Sequence, residues 1–297
     1  MWFLLLWVLS VAAFFWPLSR LVVLSVHDER YSHVVLIPLI SLGLIYSERR
    51  RVFREPRYCP RVGTLLLLPG IVLYFVVEAW SSSLNQNDRL SLTVLAIVSL
   101  WIAGFVLCYG TRSFRTAVFP LFFLLLMIPM PEAVLDKCIF ALQKGSAETT
   151  YALFKLFGVP VFWQGFKFSL PGIEIEIAKE CSGIRSTLAL FITGMLAGHV
   201  FLQSGWRKIV FTLSTIPIAI FKNAVRIVTL SSLGVYVDRG FLFGRLHHQG
   251  GLLFALIALV IFVPLLFALQ KSESRAQTEP LGQVQDDPLA TENVGVL

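Results

Sequence analysis

The run SLTVLAIVSLWIAGFVLCY, from Ser91 to Tyr109, contains no charged side chain. A helix needs about 20 predominantly apolar residues to cross a hydrocarbon core about 30 Å thick. Similar runs recur along the whole chain, and together they predict an all-α polytopic membrane protein. We expect eight transmembrane helices, at about 2–18, 32–48, 62–80, 91–109, 116–130, 184–203, 209–235 and 250–269.

The composition agrees with a lipid bilayer as the main surroundings of the chain. Hydrophobic residues make up 56% and charged residues 14%, whereas a soluble domain carries about a quarter charged residues. The net charge of +7 does not indicate nucleic acid as a partner, because the positive residues cluster in a few loops. Met1 to Trp16 has neither a basic start nor a small-residue cleavage site, which predicts a retained helix. The four cysteines lack the spacing of a zinc site or a disulfide framework, and we expect no metal and no cofactor.

Loop charges orient the predicted helices. The loop between the second and third helices carries six arginines, and three further loops also carry positive residues. If the chain alternates regularly, all four loops lie on one side, which is the cytoplasm with both termini inside. The residues are Arg49, Arg50, Arg51, Arg54, Arg57, Arg61, Arg112, Arg115, Arg207, Lys208, Lys271 and Arg275.

Two parts of the chain differ from the apolar runs. We expect residues 1–270 to form the membrane domain, within which 131–183 is a long extracytoplasmic segment. Its first half has the periodicity of an amphipathic interfacial helix. In its second half, apolar residues alternate with polar or small ones on both sides of Pro171-Gly172, which predicts a β-hairpin. The hairpin either takes part in function or is only a structural lid. The polar composition of 271–297 predicts a disordered cytoplasmic tail.

Cys181 is the candidate nucleophile, at the outer end of the sixth predicted helix. Ser182 and Gly183 are plausible caps of that helix, and its N-terminus places a partial positive charge beside the sulfur. Arg185, four residues on, is expected on the same helical face. Both features favour a thiolate, the reactive form of cysteine. The alternative is a small buried residue at a helix start.

Arg226 is the second candidate, because a charged residue inside a membrane helix usually indicates function. Counting from Ile209 at about 1.5 Å per residue places Arg226 about 26 Å along the helix. This is near the outer edge of a hydrocarbon core about 30 Å thick. Asn223, three residues earlier, shares its face and is expected to hold it by hydrogen bonds. A snorkelling anchor is the alternative.

His247 and His248 form the third candidate site, in the outer loop before the last predicted helix. Histidine is a natural general acid or base for a thiol nucleophile, because its pKa lies near neutrality. An ordinary interfacial histidine is the alternative. The predicted topology therefore brings a cysteine, an arginine and a histidine to one face of the membrane.

Three blocks with this spacing resemble the signature of the exosortase/archaeosortase family. The resemblance covers about residues 30 to 270, and His rather than Arg in the third block favours the bacterial exosortase branch. The blocks are Glu180-Cys-Ser-Gly-Ile-Arg-Ser186, Asn223-Ala-Val-Arg-Ile227 and His247 before Gly250-Gly251, and Tyr31-Ser-His33 with Pro38 also resembles the family's N-terminal region.

The resemblance implies a membrane-embedded cysteine transpeptidase or protease in the bacterial inner membrane, with its active site facing the periplasm. Its partners would be the C-terminal sorting signals of exported proteins, in which a Pro-Glu-Pro-like motif precedes a transmembrane helix and a basic tail. Cys181 would be the nucleophile, Arg226 the electrostatic partner and His247 the acid or base, with His248 as the competing choice. The blocks leave open the acceptor of the acyl group, which is water, an amine or a lipid.

Two other classes of function compete with this one. Arg226 and Lys222 would also suit the polar pathway of a transporter or flippase subunit for polysaccharide or lipid export. Against this, the sequence has no evident inverted repeat, and its charged positions lie near one face rather than at the midplane. A non-catalytic scaffold is the remaining alternative.

Overall fold

The computed structural model describes residues 2–55, 58–238, 240–243 and 251–282. It is predominantly helical with one small antiparallel sheet. The helices are α1 (Trp2–Ala13), α2 (Phe15–His27), α3 (Leu36–Ser47), α4 (Arg49–Val52), α5 (Pro60–Ala79), α6 (Gln86–Thr116), α7 (Val118–Phe123), α8 (Glu132–Leu156), α9 (Ile184–Phe201), α10 (Gly205–Tyr236), α11 (Gly240–Phe243) and α12 (Gly251–Gly282). The strands are β1 (Phe162–Gln164), β2 (Lys167–Leu170) and β3 (Ile173–Glu176).

The membrane helices agree with the predicted all-α polytopic fold. Within the described residues, six helices are long and apolar enough to cross a bilayer, and two bent pairs bring the number to as many as eight. The six correspond to the predicted spans that begin at about 32, 62, 91, 184, 209 and 250. The predicted spans 2–18 and 116–130 fall on the bent pairs, so neither is a straight helix.

Prolines explain both bends. The first pair, α1 and α2, turns by 76°, and Pro17 in the first turn of α2 lacks the N–H that would continue the ladder of α1. The second pair, α7 with its following 3₁₀ turn and α8, turns by 91°. Ile128 there has the extended backbone that a following proline imposes, with φ −76° and ψ 121°. Pro129 and Pro131 therefore end the fifth predicted span early.

The chain divides into two compact units, the first ending at Lys137 and the second beginning at Cys138. In the first unit, α5 packs closely on α6 at Gly63. A Cβ at this position would lie only 2.5 Å from the Leu107 Cα, so the close contact requires a glycine. The core beside this contact contains Phe105 and Leu121. Most of the central helix α6 is thus enclosed by protein.

The second unit contains the sheet, whose strand order is β1-β2-β3. β2 and β3 form the predicted hairpin, with Leu170 opposite Ile173 around the Pro171-Gly172 turn. Gly172 has φ +80°, the conformation that the third residue of a type II turn requires. Strand β1, with only three residues, was not predicted from the sequence.

The sheet is packed on two helices. Phe154 of α8, Phe168 and Leu170 of β2 and Val228 of α10 belong to one buried cluster. A second cluster joins α10 to α12, with the rings of Phe211 and Phe262 stacked 4.2 Å apart. Helix α10 therefore contributes to both cores, and its position fixes the sheet.

Helix α12 continues to Gly282, past residue 270, where the membrane domain was predicted to end. The carboxylate of Glu273, which is 7% exposed, accepts hydrogen bonds from the backbone N–H groups of Gln203 and Ser204. It also pairs with Arg207 at 3.5 Å. These contacts fix α12 to the turn between α9 and α10, and residues 283–297 lie outside the described structure.

We expect Glu273→Ala to lower the stability of the second unit by about 1–3 kcal/mol, because two N–H groups and a guanidinium lose their acceptor. Thermal unfolding in detergent micelles measures the loss. Glu273→Gln keeps one acceptor oxygen and should fall between the wild type and the alanine variant. Lys271→Ala, at an exposed position two residues earlier, should unfold like the wild type. Equal unfolding midpoints for all four proteins would contradict the role given to this carboxylate.

Candidate active site

Cys181 lies on a single 3₁₀ turn, Lys179–Ser182, between β3 and α9. Its backbone N–H donates to the carbonyl of Ala178 at 2.9 Å, which closes the turn. Its side chain is half-buried and packs against the cluster beneath the sheet. Cys181 thus lies just before a membrane helix, as predicted from the sequence.

Gly183 separates the turn from α9. It is the N-cap residue, with φ +78°, and as a glycine it has no side chain that could cap the helix. Ser182 is buried, and its hydroxyl oxygen lies 3.4 Å from the N–H of Ile184. Because the backbone becomes left-handed at Gly183, Cys181 does not continue the helix that contains Arg185. The prediction that these two share a helical face is wrong, and Arg185 is exposed on α9.

Asn223 of α10 holds the backbone of the cysteine turn. Its amide group donates to the carbonyl oxygen of Cys181 and to the hydroxyl of Ser146 on α8, both at 3.0 Å. The expected hydrogen bond from Asn223 to Arg226 stays a prediction. Asn223 ties Cys181 to two helices at once.

A cavity of about 230 Å³ connects Cys181 with Arg226. One wall is β3 with the residue that follows it, and the opposite wall is a single face of α10. The lining residues are Glu174, Ile175, Glu176, Ile177, Cys181, Asn223, Arg226, Ile227, Leu230 and Ser231. Two of the predicted site residues, Cys181 and Arg226, therefore share one cavity.

One family model matches the chain. A model of the transmembrane exosortase family (Exosortase_EpsH) matches residues 23–263. The chain belongs to the exosortase family. No curated protein and no solved structure matches it. The matched region of this exosortase includes both walls of the cavity and the cysteine turn, so the whole cavity lies within the part of the chain that defines the family.

The third predicted element of the exosortase site, His247 with His248, lies outside the described residues. Its position relative to Cys181 and Arg226 stays a prediction. The four cysteines of this exosortase are free thiols, and Cys138 and Cys181 do not form a disulfide.

Buried polar groups on α8 support the site, and the sequence analysis did not identify them as functional. Gln143 is 6% exposed and donates to the carbonyl of Ile177 at 2.8 Å. Ser146, which is fully buried, accepts the bond from Asn223. Thr150 continues the same buried face. Their spacing of three and four residues on an otherwise apolar face was the available signal.

Lys222 of α10 is a second buried cation of this exosortase, one turn before Arg226. It is 7% exposed, and its ammonium group donates to the hydroxyl of Ser186 in the first turn of α9. Among the described residues that line the cavity, Arg226 is the basic one, and Lys222 is not part of the lining. Its contact joins α9 to α10 immediately beside the cysteine turn.

Gly183→Ala should reduce the activity of this exosortase more than its stability. A Cβ at Gly183 would lie 3.3 Å from the Asn223 side chain, and a left-handed backbone costs alanine about 1–2 kcal/mol. Gly165→Ala is the matched control, since Gly165 has φ +62° and no neighbour within 4 Å of its Cβ position. We expect both variants to lose similar stability in thermal unfolding, whereas only Gly183→Ala slows substrate processing, by about tenfold or more. Equal rates for the two variants would show that the Gly183–Asn223 contact does not position Cys181.

Proposed function

We propose that this exosortase is a membrane-embedded cysteine transpeptidase or protease that cleaves C-terminal sorting signals of exported proteins. Such a signal contains a Pro-Glu-Pro-like motif, a transmembrane helix and a basic tail. The observation that carries the proposal is the shared cavity, in which the thiol of Cys181 and the guanidinium of Arg226 line one space. Acyl transfer needs a nucleophile and a group that stabilises the oxyanion, and these two residues can supply both roles.

The proposed reaction passes through a thioester. The Cys181 sulfur bonds to the scissile carbonyl carbon, and the carbonyl oxygen takes up the negative charge, which Arg226 stabilises. The carbon–nitrogen bond then breaks, and His247 gives a proton to the leaving amine. Water or an acceptor amine then attacks the thioester and gives its proton to His247, and the carbon–sulfur bond breaks to release the Cys181 thiolate.

The fixed position of the cysteine turn supports this chemistry. Gln143 donates to the carbonyl of Ile177, and Asn223 donates to the carbonyl of Cys181. The two bonds therefore fix both ends of the segment that connects β3 to the nucleophile. A nucleophile held within a fraction of an ångström loses little entropy when it reacts. The half-buried thiol also stands at the end of a membrane helix, the depth at which the cleavage site of a membrane-anchored protein lies.

The loop charges support a location for the reaction. We place the active site at the periplasmic face of a bacterial inner membrane, within a membrane domain of residues 1–270 whose segment 131–183 lies outside the cytoplasm. No observation on the described residues favours the export alternative, since Lys222 bonds to Ser186 rather than facing the cavity.

Capture of the thioester tests the proposal. The protein is reconstituted in liposomes with a synthetic peptide that carries Pro-Glu-Pro, an apolar helix of about 20 residues and a basic end. Addition of hydroxylamine should release the upstream peptide as its hydroxamate, and mass spectrometry after rapid acid quenching should find the acyl group on Cys181. Processing that proceeds with the acyl group on another residue, or after complete alkylation of Cys181, would refute the proposal.

A further inference from the structure

The cavity meets β3 along its edge rather than on one face. Four consecutive residues, Glu174 to Ile177, line it. Successive side chains of a strand point to opposite faces, so a cavity on one face would contact alternate residues only. The ladder order places β2 on one side of β3, and no described strand lies on the other side.

The backbone groups at this edge are available for hydrogen bonds. Ile177 donates its N–H to the carbonyl of Phe166 at 2.9 Å, so the odd-numbered residues of this stretch turn their backbone groups toward β2. Glu174 and Glu176 therefore turn theirs away from β2. The carbonyl of Glu176 accepts from Ala178 at 3.0 Å. Within the described structure, the N–H and C=O of Glu174 and the N–H of Glu176 have no hydrogen-bond partner.

The side of the cavity opposite this edge is a face of α10 that carries both apolar and polar side chains. Ile227 and Leu230 line it together with Asn223, Arg226 and Ser231. A chain between the two walls would find backbone partners on β3 and a surface for its side chains on α10. A helix uses its N–H and C=O groups internally, so an extended segment fits this arrangement and a helix does not.

We infer that β3 is the docking edge for the substrate, whose extended segment binds as a fourth strand between β3 and α10. This inference rests on the proposed function and adds to it the way in which the substrate is held. Main-chain hydrogen bonds of this kind give affinity in other strand-addition complexes. Because β3 leads within five residues from Glu176 to Cys181, the edge that binds the chain also directs its carbonyl to the nucleophile.

The Pro-Glu-Pro motif of the proposed substrate can pair with β3 in only one of the two alternating registers. Proline has no N–H, so both prolines of Pro-Glu-Pro must face away from β3. The glutamate between them then presents its N–H and C=O to the free groups of Glu174. Substrate residues should therefore alternate between those that bond to β3 and those that do not.

A proline variant at the edge tests the inference. Glu174→Pro removes an N–H that faces the cavity and leaves the ladder with β2 intact, as edge prolines do. The reference is Glu174→Ala, which loses the same carboxylate but keeps the N–H. We expect kcat/KM for the synthetic peptide to be about tenfold lower in the proline variant than in the alanine variant, with equal rates of Cys181 alkylation by a maleimide. The N–H of Ile175 faces β2, so Ile175→Pro breaks the ladder between the strands. Its thermal unfolding serves as the reference for general damage to the sheet.

An N-methyl scan of the peptide gives a second measurement on the wild-type protein. Methylation of successive backbone nitrogens near the scissile bond should reduce kcat/KM at every second residue, including the motif glutamate. A flat scan, or equal kcat/KM for the two Glu174 variants, overturns the strand-addition inference, while continued dependence on Cys181 leaves the proposed function standing. If Glu174→Pro unfolds as Ile175→Pro does, the scan alone decides. If the Cys181→Ala variant processes the peptide at the wild-type rate, both proposals fail.

Discussion

Cys181→Ala should abolish processing, with a fall in kcat of at least about a thousandfold, because removal of a covalent nucleophile removes the whole acyl-transfer route. The turn itself should survive the change. The backbone bonds of Cys181, to Ala178 and to the Asn223 amide, do not involve the sulfur. The measurement is mass spectrometry of the peptide C-terminus after incubation with each protein.

Cys138→Ala is the matched control for this prediction. Cys138 is also a half-buried free thiol, and it lies on α8 outside the cavity. We expect its variant to process the peptide at the wild-type rate. If Cys181→Ala retains full processing, or if a thiol reagent labels Cys181 no faster than Cys138, the protein is an export subunit or a scaffold rather than a cysteine enzyme.

Arg226→Gln should reduce kcat by about 100- to 1,000-fold with a smaller change in KM, because the lost interaction is with charge that develops in the transition state. Arg226→Lys should recover little of this loss. An ammonium group on a flexible stem does not reproduce the planar fork of a guanidinium. Steady-state kinetics with the synthetic peptide separates the effects on kcat and KM.

Arg185→Gln is the control for the arginine variants, because Arg185 is exposed on α9 and is not among the described residues that line the cavity. It should remain within about twofold of the wild type, since a cation exposed to solvent is strongly screened. Alkylation of Cys181 at the wild-type rate establishes that the cysteine turn is intact in each variant. Equal losses in Arg226→Gln and Arg185→Gln would mean that overall charge, not the cavity, controls the reaction.

The membrane fold was predictable from the sequence because apolar length alone identifies a spanning helix. Six spans agree with described helices. The two remaining predicted spans fall on bent helix pairs. The bends have a local cause, since hydropathy does not register the missing N–H of Pro17 or of Pro129. The hairpin was predictable from its period of two and its Pro-Gly turn, whereas β1 was too short to show a period.

The site was only partly predictable. Loop charges and residue chemistry selected Cys181 and Arg226, and these share the cavity. The spacing of four residues between Cys181 and Arg185 wrongly predicted a shared helical face. The left-handed backbone at Gly183 separates Cys181 from the helix that contains Arg185. The bond from Asn223 to the Cys181 carbonyl joins residues 42 positions apart, and no local pattern contains such a contact.

The contacts of Glu273 also define where the protein can be shortened. A truncation at residue 270, the boundary that composition indicates, would remove the acceptor of the Gln203 and Ser204 N–H groups and leave Arg207 without its carboxylate. The severed chain would then expose the end of α9 and the start of α10 to proteases. A trimmed protein for expression should therefore retain at least one further helical turn, through Arg275.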